Sequence, residues 1–307
     1  MTDTLPTIQY IYQNHIIDST RWSRYTPRED DVVISTPPKC GTTWMQTIVL
    51  HLIFQDLQPR AVTQFSPWLD RRVIPLDEII GQLEAQNHRR CIKSHVPLDG
   101  LPYFSQVNYI IVGRDARDVF MSLWNHYSNF TPEFYERVNN LPGRTGEPFP
   151  QAPEDIRDFW EGWIKRGRFA WESQGYPFQS TFHHLQSWWE YRHLPNILFV
   201  HYNDLLADLS GEIRRIADYL NIAVSEEMLT AIAEAVTFTS MKTNAEQVVG
   251  SMANSFIGGG QTFIHKGTNG RWREVLTEDD LKLYDAAVAR ELTPDCAHWL
   301  EHGRLYS

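Results

Sequence analysis

Short apolar runs alternate along the chain with longer segments in which apolar residues recur at helical spacing. Four runs rich in β-branched residues are predicted strands, at 31–36, 90–95, 107–113 and 196–202. Helices are predicted at 42–54, 116–129, 180–191, 205–220 and 226–235. Strands buried on both faces read as continuous apolar runs, so the pattern predicts one α/β domain, 1–307, with a central parallel sheet flanked by helices.

Two segments interrupt this pattern and are predicted to be mobile cover over the sheet. The segment 139–155 is rich in proline and glycine, and the segment 242–260 carries glycine, asparagine and serine and ends in three glycines. The aromatic helix containing "HHLQSWWEYRH" is predicted to pack in the core.

Composition and charge restrict the classes of protein to consider. The 307 residues are 42% hydrophobic, which is enough for a sizeable core, and the net charge of −10 disfavours a broad nucleic-acid-binding face. Cys40, Cys91 and Cys296 lie far apart without metal-ligand spacing, so reduced thiols and a cytoplasmic location are predicted. No secretory leader and no membrane-spanning run is expected. The sequence leaves the oligomeric state open, with a homodimer among the options.

The stretch "STPPKCGTTW", residues 35–44, carries the first candidate chemistry. Strand, tight turn and helix in that order suit a loop that holds a phosphate, because a helix start offers free N–H groups to an anion. In the nucleoside-triphosphate loop the lysine follows the last glycine, whereas Lys39 precedes Gly41 here. The loop is therefore predicted to hold a different phosphate-bearing molecule.

Polar residues at the ends of the other strands have the same character. They comprise Lys93, Ser94 and His95 after the second strand, Arg114 and Ser122 after the third, and Tyr202 after the fourth. Ligands of open α/β sheets gather at this edge, so a pocket for a multiply charged anion with one candidate general base is predicted. A solvated Lys39 and an Arg114 paired with Asp115 or Asp118 are the alternatives.

Three histidines close in sequence raise the question of a metal site, but their spacing does not favour one. His183 and His184 are adjacent on a predicted helix and point to different faces, so they are not expected to bind a metal together with His193.

Four motifs in order resemble the cytosolic sulfotransferase family. They are "TPPKCGTTW", "KSH", "GRDARDVFMS" and "KGTNGRW", and together they span about 32–272. Members of that family move a sulfuryl group from 3′-phosphoadenosine 5′-phosphosulfate (PAPS) to an alcohol, phenol or amine. The resemblance therefore implies a PAPS-dependent transferase with a P-loop-like fold and no metal requirement.

The resemblance also implies roles for particular residues. His95 would be the general base, with Lys39 and Lys93 stabilising charge on the transferring group. The residues implied to bind the donor are Lys39, Cys40, Gly41, Thr42, Thr43, Trp44, Arg114, Ser122, Tyr202, Thr237, Phe238, His265, Lys266 and Gly267. Trp68, His95, Tyr127 and Phe130 would line the pocket of a small, largely apolar acceptor.

The late motif departs from the family pattern. His265 stands where the family has arginine, and Arg271 stands where it has aspartate, so either side chain is a candidate for the missing charge at the 3′-phosphate. Three other functions remain open at this point: a kinase-like phosphoryltransferase with Asp115 as a magnesium ligand, a dehydratase that eliminates a transient sulfate ester, and a nucleotide-binding module without catalysis.

Overall fold

Four parallel strands form the central sheet in a computed structural model that describes residues 4–304. The strands are β1 Val32–Ser35, β2 Cys91–Ser94, β3 Asn108–Gly113 and β4 Ile197–His201. The sheet order is β2-β1-β3-β4, and Val32 pairs with both Cys91 and Asn108. Each strand lies inside a predicted run, so the predicted parallel α/β fold is confirmed.

Helices cover both faces of this sheet. In chain order they are α1 Thr42–Phe54, α2 Val62–Phe65, α3 Leu76–Glu84, α4 Ala116–Ser128, α5 Pro132–Asn139, α6 Ile156–Lys165, α7 Thr181–Trp189, α8 Tyr202–Ala207, α9 Leu209–Tyr219, α10 Glu226–Ala235, α11 Phe238–Thr243, α12 Ala245–Val249, α13 Gly259–Phe263, α14 Glu278–Glu291 and α15 Pro294–His302. Short 3₁₀ helices occur at Ser19–Arg24, Leu98–Gly100, Gly250–Ser255 and Arg271–Glu274. No helix within 4–304 has the length and apolar character that a bilayer span requires.

Alternate residues of the strands pack into two hydrophobic cores. Val33 and Ile111 belong to a core that includes the aromatic residues of α6 and α7. Ile34 and Ile110 belong to a second core that α1, α9 and α10 cover. Because strand side chains alternate between faces, both faces of every strand must be apolar, which explains the continuous apolar runs.

The helix α7 shows the predicted burial of its aromatic residues. Trp188 is fully buried and Trp189 nearly so. His184 Nε2 lies 3.0 Å from Ser35 Oγ, whereas His183 Nε2 lies 2.8 Å from Asp99 Oδ2. The two histidines therefore point to different partners, as their adjacent positions predict.

Two predicted segments differ from the structure. The helix expected at 205–220 is two helices, because Asp208 leaves helical geometry and its carboxylate accepts from the N–H of Gly211, capping α9. The segment 242–260 contains α12, a 3₁₀ helix and the start of α13, and is not an irregular loop. Of the other predicted cover segment, 139–155, Asn139 is the last residue of α5 and residues 140–155 contain no helix or strand.

Candidate active site

The loop between β1 and α1 adopts a backbone that few residues tolerate. Gly41 has φ of 106° and Lys39 has φ of 70°, both in the left-handed region. A non-glycine residue costs about 1–2 kcal/mol there, so the fold holds Lys39 in a strained turn. The hydroxyl oxygens of Thr36 and Thr42 lie 2.6 Å apart and tie the start of the loop to the start of α1.

This loop opens into a cavity of about 370 Å³ at the carboxyl edge of the sheet. Residues from β2, α4, α8 and the 236–271 segment meet the loop there. The predicted residues that line it are Lys39, Gly41, Thr42, Thr43, Trp44, Trp68, Lys93, His95, Arg114, Ser122, Phe130, Tyr202, Thr237, Phe238, His265, Lys266 and Gly267. The structure therefore brings together residues that the sequence separates by more than two hundred positions.

Two of the predicted residues do not line this cavity. The Cys40 side chain is buried beneath the loop, and burial raises the pKa of its thiol to about 12, so only its backbone can meet a ligand. Tyr127 packs in the aromatic core, where its hydroxyl donates to the carbonyl oxygens of Pro150 and Gln151. Tyr127 was expected in the acceptor pocket, but the face of α4 turned to this cavity carries Ser122 and His126.

A backbone contact selects the tautomer of His95. Its Nδ1 lies 2.7 Å from the carbonyl oxygen of Thr36, which can only accept, so Nδ1 carries the proton and Nε2 keeps a lone pair. Burial and the nearby Lys93 hold the pKa of His95 well below its usual value. The imidazole is therefore neutral at physiological pH and able to accept a proton.

Trp68 and Asp70 hold this histidine in place. The Trp68 ring meets the His95 ring edge-on at 4.8 Å, and Lys93 Nζ lies 4.4 Å from the Trp68 ring centre. The buried carboxylate of Asp70 accepts from the indole N–H of Trp68 at 2.6 Å and from the backbone N–H of His95 at 3.3 Å. Asp70 is thus a positioning residue that the sequence did not single out, although it lies in the same "SPWLD" segment as Trp68.

Lys39 and His126 meet inside the cavity. Lys39 Nζ lies 3.3 Å from Nδ1 of His126 and 4.5 Å from the centre of the Phe263 ring. Burial, and secondarily the charge of Arg114, lower the pKa of Lys39 to about 7. Sequence reasoning missed His126, although its position four residues after Ser122 places both on one face of α4.

Arg114 joins the β1–α1 loop to the late segment, residues 236–271. It donates to the carbonyl oxygen of Lys39 in the loop at 3.4 Å. Its guanidinium donates to Asn269 Oδ1 at 2.6 Å and to the carbonyl oxygen of Thr268 at 3.2 Å, and it lies 4.2 Å from the Tyr202 ring centre. The alternative pairing with Asp115 or Asp118 is not formed. Asp115 instead binds Arg117 at 2.7 Å, and Asp118 accepts from the N–H of Gly270, also at 2.7 Å.

Aromatic side chains form a slot at the end of the cavity where Arg114 lies. The Trp44 indole N–H donates to the carbonyl oxygen of Val236 at 2.8 Å, and its ring lies 5.3 Å from that of Tyr202. A Cβ atom at Gly267 would lie 2.3 Å from the Phe238 ring, so only glycine allows this close approach.

Arg271 and His265 both reach the cavity from the late segment. Burial, with the charges of Arg271 and Lys266, lowers the pKa of His265, so this imidazole is neutral near pH 7. The Nε atom of Arg271 is buried without a hydrogen-bond partner among the described residues. An unpartnered guanidinium donor in a cavity is suited to an anionic ligand.

The comparisons with known proteins agree with this arrangement. A sequence model of the sulfotransferase domain matches residues 29–294. The chain belongs to the sulfotransferase family. A glycolipid sulfotransferase of Mycobacterium tuberculosis is 33% identical over 314 residues, and the alignment covers 97% of this chain and 96% of that relative.

Solved structures show the same fold at lower identity. Mouse sulfotransferase SULT7A1, complexed with PAP, superposes with a TM-score of 0.71 at 21% identity, covering 92% of this chain and 91% of that one. Retinol dehydratase in a complex with retinol and PAP gives 0.66 at 24% identity, covering 91% and 87%. The predicted family, fold class and enzyme class are confirmed, and the kinase, dehydratase and non-catalytic alternatives are not favoured.

At the end of the cavity away from Arg114, aromatic rings form the wall of this sulfotransferase's cavity. The His126 ring lies 4.8 Å from Phe130, and Phe130 stacks on Phe134 at 3.8 Å. Phe149 lies 6.0 Å from Phe130. The cavity therefore has a cationic end at Arg114 and an apolar end at Phe149. Lys39 contacts both sides, because its carbonyl oxygen accepts from Arg114 at 3.4 Å and its Nζ lies beside His126. Lys93 and His95 line the same cavity.

Proposed function

We propose that this sulfotransferase moves a sulfuryl group from PAPS to a hydroxyl, or an amine, of a small and largely apolar acceptor such as a phenol, alcohol, sterol or lipid. The observation that carries the proposal is that His95, Lys39 and Lys93 line one cavity whose walls also carry cationic and aromatic side chains. The donor is a charged nucleotide and the acceptor an apolar alcohol, so one site must offer both environments.

The residues of the cationic end fit such a donor. Unpartnered Arg271 Nε suits a phosphate oxygen, and the close approach of Gly267 to Phe238 leaves backbone without a side chain against the slot. We assign the 3′-phosphate to Arg114, Ser122, Lys266 and Gly267 together with Arg271 or His265. The 5′-phosphate is assigned to Lys39 and the N–H and hydroxyl groups of Gly41, Thr42 and Thr43.

Aromatic side chains and neighbouring backbone are assigned to the base of the donor. Trp44 and Phe238 provide two faces, and Tyr202 and Thr237 border the same slot. The buried thiol of Cys40 takes no part, so Cys40 is limited to its backbone in this assignment.

In the proposed reaction one histidine takes up a proton and two lysines supply positive charge. PAPS supplies the sulfuryl group. His95 accepts the acceptor's hydroxyl proton at Nε2, because the Thr36 carbonyl keeps Nδ1 protonated. Lys39 and Lys93 stabilise negative charge as the acceptor oxygen attacks and the nucleotide leaves.

An acceptor with an apolar body follows from the aromatic walls. Phe130, Phe134 and Trp68 face the cavity, and a long or flat hydrocarbon would bury itself against them. The name of the mycobacterial relative is in keeping with a lipid acceptor.

The decisive test is product formation from labelled PAPS. Purified protein is incubated with PAPS and pooled phenols, sterols, lipids and aliphatic alcohols, and products are identified by mass spectrometry. A stable sulfate ester supports the proposal. A dehydrated product would point to the dehydratase alternative, and no label transfer to any acceptor would refute the proposal.

Three further features belong to this proposal. The three cysteines are free, which suits a cytoplasmic enzyme. Both hydrophobic cores pack on one sheet, which supports treating 1–307 as one domain. The working partner is a small-molecule acceptor, and the proposed reaction needs no second chain.

A further inference from the structure

Two buried polar atoms at the apolar end of the cavity have no hydrogen-bond partner among the described residues. They are Nδ1 of His15 and Nε2 of Gln179. Both residues line the cavity, and their exposed fractions are only 2% and 4%. A buried donor left unpaired costs about 1–3 kcal/mol, so such atoms inside a ligand cavity are expected to meet a polar group of the ligand.

A chain of ring contacts shows that these atoms lie at the end away from the reacting groups. It runs from Lys39 to His126 and Phe130, and then to Phe149 at 6.0 Å. His15 stacks on the far side of this chain, 4.2 Å from the Phe149 ring centre. Phe178, the neighbour of Gln179, also contacts Phe149, at 5.5 Å.

The groups around His15 favour a ligand oxygen with lone pairs. Burial, and the charges of Arg168, Arg72 and Arg144, hold the pKa of His15 well below its usual value, so it is neutral. The three guanidiniums add positive potential around this end. The amide nitrogen of Gln179 can only donate, and His15 Nδ1 donates in one of its two tautomers.

We propose that the acceptor carries a second oxygen, at the end opposite the hydroxyl that is sulfated, and that Gln179 and His15 bind it. The inference rests on the proposed function and narrows its acceptor class from any apolar alcohol to one with oxygens at both ends. A purely hydrocarbon tail would leave the two donors buried and unpaired, which disfavours its binding.

Matched acceptors test this directly. The probes are primary alcohols of eight to fourteen carbons, each paired with the same alcohol carrying a ketone at the penultimate carbon. The ketone can only accept a hydrogen bond and cannot itself be sulfated. At the chain length that spans the cavity, we expect the keto member to have a KM about threefold to tenfold lower, with similar kcat.

Gln179→Leu removes one donor at nearly constant volume. It should abolish the advantage of the keto alcohol, raising the KM of the keto member more than that of the plain alcohol. His15→Phe should act in the same direction, since Phe keeps the stacking on Phe149. Gln58→Leu makes the same amide-to-alkyl change at an exposed position and should keep the wild-type preference.

Binding of the alcohols to protein loaded with PAP, the nucleotide that remains after PAPS gives up its sulfuryl group, separates this inference from the proposed function. Calorimetry measures alcohol affinity without turnover, so a preference for keto alcohols can be seen even if none is sulfated. Equal KM and equal affinity within every pair, or binding of neither member at any length, would overturn the inference. An equal loss for both members in Gln179→Leu would do the same, since it would show a structural role only.

Discussion

At the scale of single residues, a backbone carbonyl determines what His95 can do. The Thr36 oxygen accepts from Nδ1 at 2.7 Å, and this leaves Nε2 as the only ring nitrogen with a lone pair. Burial beside Lys93 lowers the pKa of His95, which keeps the ring neutral. These contacts support the proposal that His95 accepts a proton, whereas Lys39 and Lys93 contribute charge.

Lys39→Ala and His95→Ala should affect different steps. Lys39 is assigned to the nucleotide in both the bound and reacting states, so its loss should weaken PAP binding by about tenfold or more and also lower turnover. His95 is assigned to the acceptor, so its loss should leave PAP affinity within about threefold while turnover falls about 10² or more. Calorimetry with PAP and steady-state kinetics measure the two effects.

His193→Ala is the matched control for these variants, because His193 is exposed and does not line the cavity. It should behave as wild type in both measurements. Equal large losses of PAP affinity in Lys39→Ala and His95→Ala would contradict the separation of roles.

The pKa of Lys39 makes donor binding depend on pH. Burial and the charge of Arg114 lower the pKa of Lys39 to about 7, and a bound dianion raises it. A ligand that raises a pKa binds the protonated form more tightly. PAP affinity should therefore be greatest below about pH 7 and fall as the pH rises, until the bound-state pKa is passed.

The slope of this decline identifies the titrating groups. Each lysine contributes at most about tenfold per pH unit, and burial lowers the pKa of Lys93 to about 7 as well. Lys39→Arg removes one titration and should make the decline shallower between pH 6 and 9. Adenosine, which lacks phosphates, should show little pH dependence, and a flat PAP curve for wild type would be inconsistent with the assignment.

Positions in and just before helix α4 show which cavity residues the sequence could place. Arg114 and Ser122 could be placed from the motif, and both line the cavity. Tyr127 is expected in the pocket from the sequence, but it lies one residue past His126 and so about 100° around the helix. The four-residue step from Ser122 would have identified His126 instead.

At the scale of elements, the strands and α1 were predictable because their burial pattern is simple. Both faces of the sheet are covered, so the strands are continuous apolar runs. The helix at 205–220 was mispredicted because its leucines keep helical spacing across Asp208, which in the structure caps a new helix. The segment 242–260 has a loop-like composition, but its short helices pack against one another and against α2.

The close approach of the late segment to Phe238, at Gly267, is an element-scale feature that can be tested. Gly267 has φ of 66°, and a Cβ there would lie 2.3 Å from the Phe238 ring. Gly267→Ala should displace Phe238 from the slot and weaken PAP binding by about tenfold or more, with a smaller effect on the free energy of unfolding. Calorimetry and thermal unfolding measure the two quantities.

Gly81→Ala is the control for that substitution. Gly81 lies in α3 with nothing within 4 Å of the added Cβ, so alanine should leave PAP affinity unchanged and stabilise the helix by about 0.5–1 kcal/mol. Wild-type PAP affinity in Gly267→Ala would argue against a slot formed by Gly267 and Phe238.

At the scale of the whole molecule, charge is distributed unevenly. The chain carries a net charge of −10, yet Lys39, Lys93, Arg114 and Arg271 all line one cavity. The sequence predicted this concentration, since cations follow three successive strands. It could not predict the unpartnered atoms of His15 and Gln179, because those residues come from loops that tertiary packing alone brings to the cavity.

The central claim is that this chain transfers a sulfuryl group with its own lysines and histidine supplying charge and base. The most direct measurement is the rate of label transfer from PAPS to an acceptor found in the pooled screen, in excess chelator, for wild type and His95→Ala. The account predicts that wild-type transfer survives the chelator and that His95→Ala loses about 10² or more of the rate. Loss of transfer in chelator that magnesium restores, or phosphoryl transfer from ATP in place of sulfuryl transfer from PAPS, would contradict it.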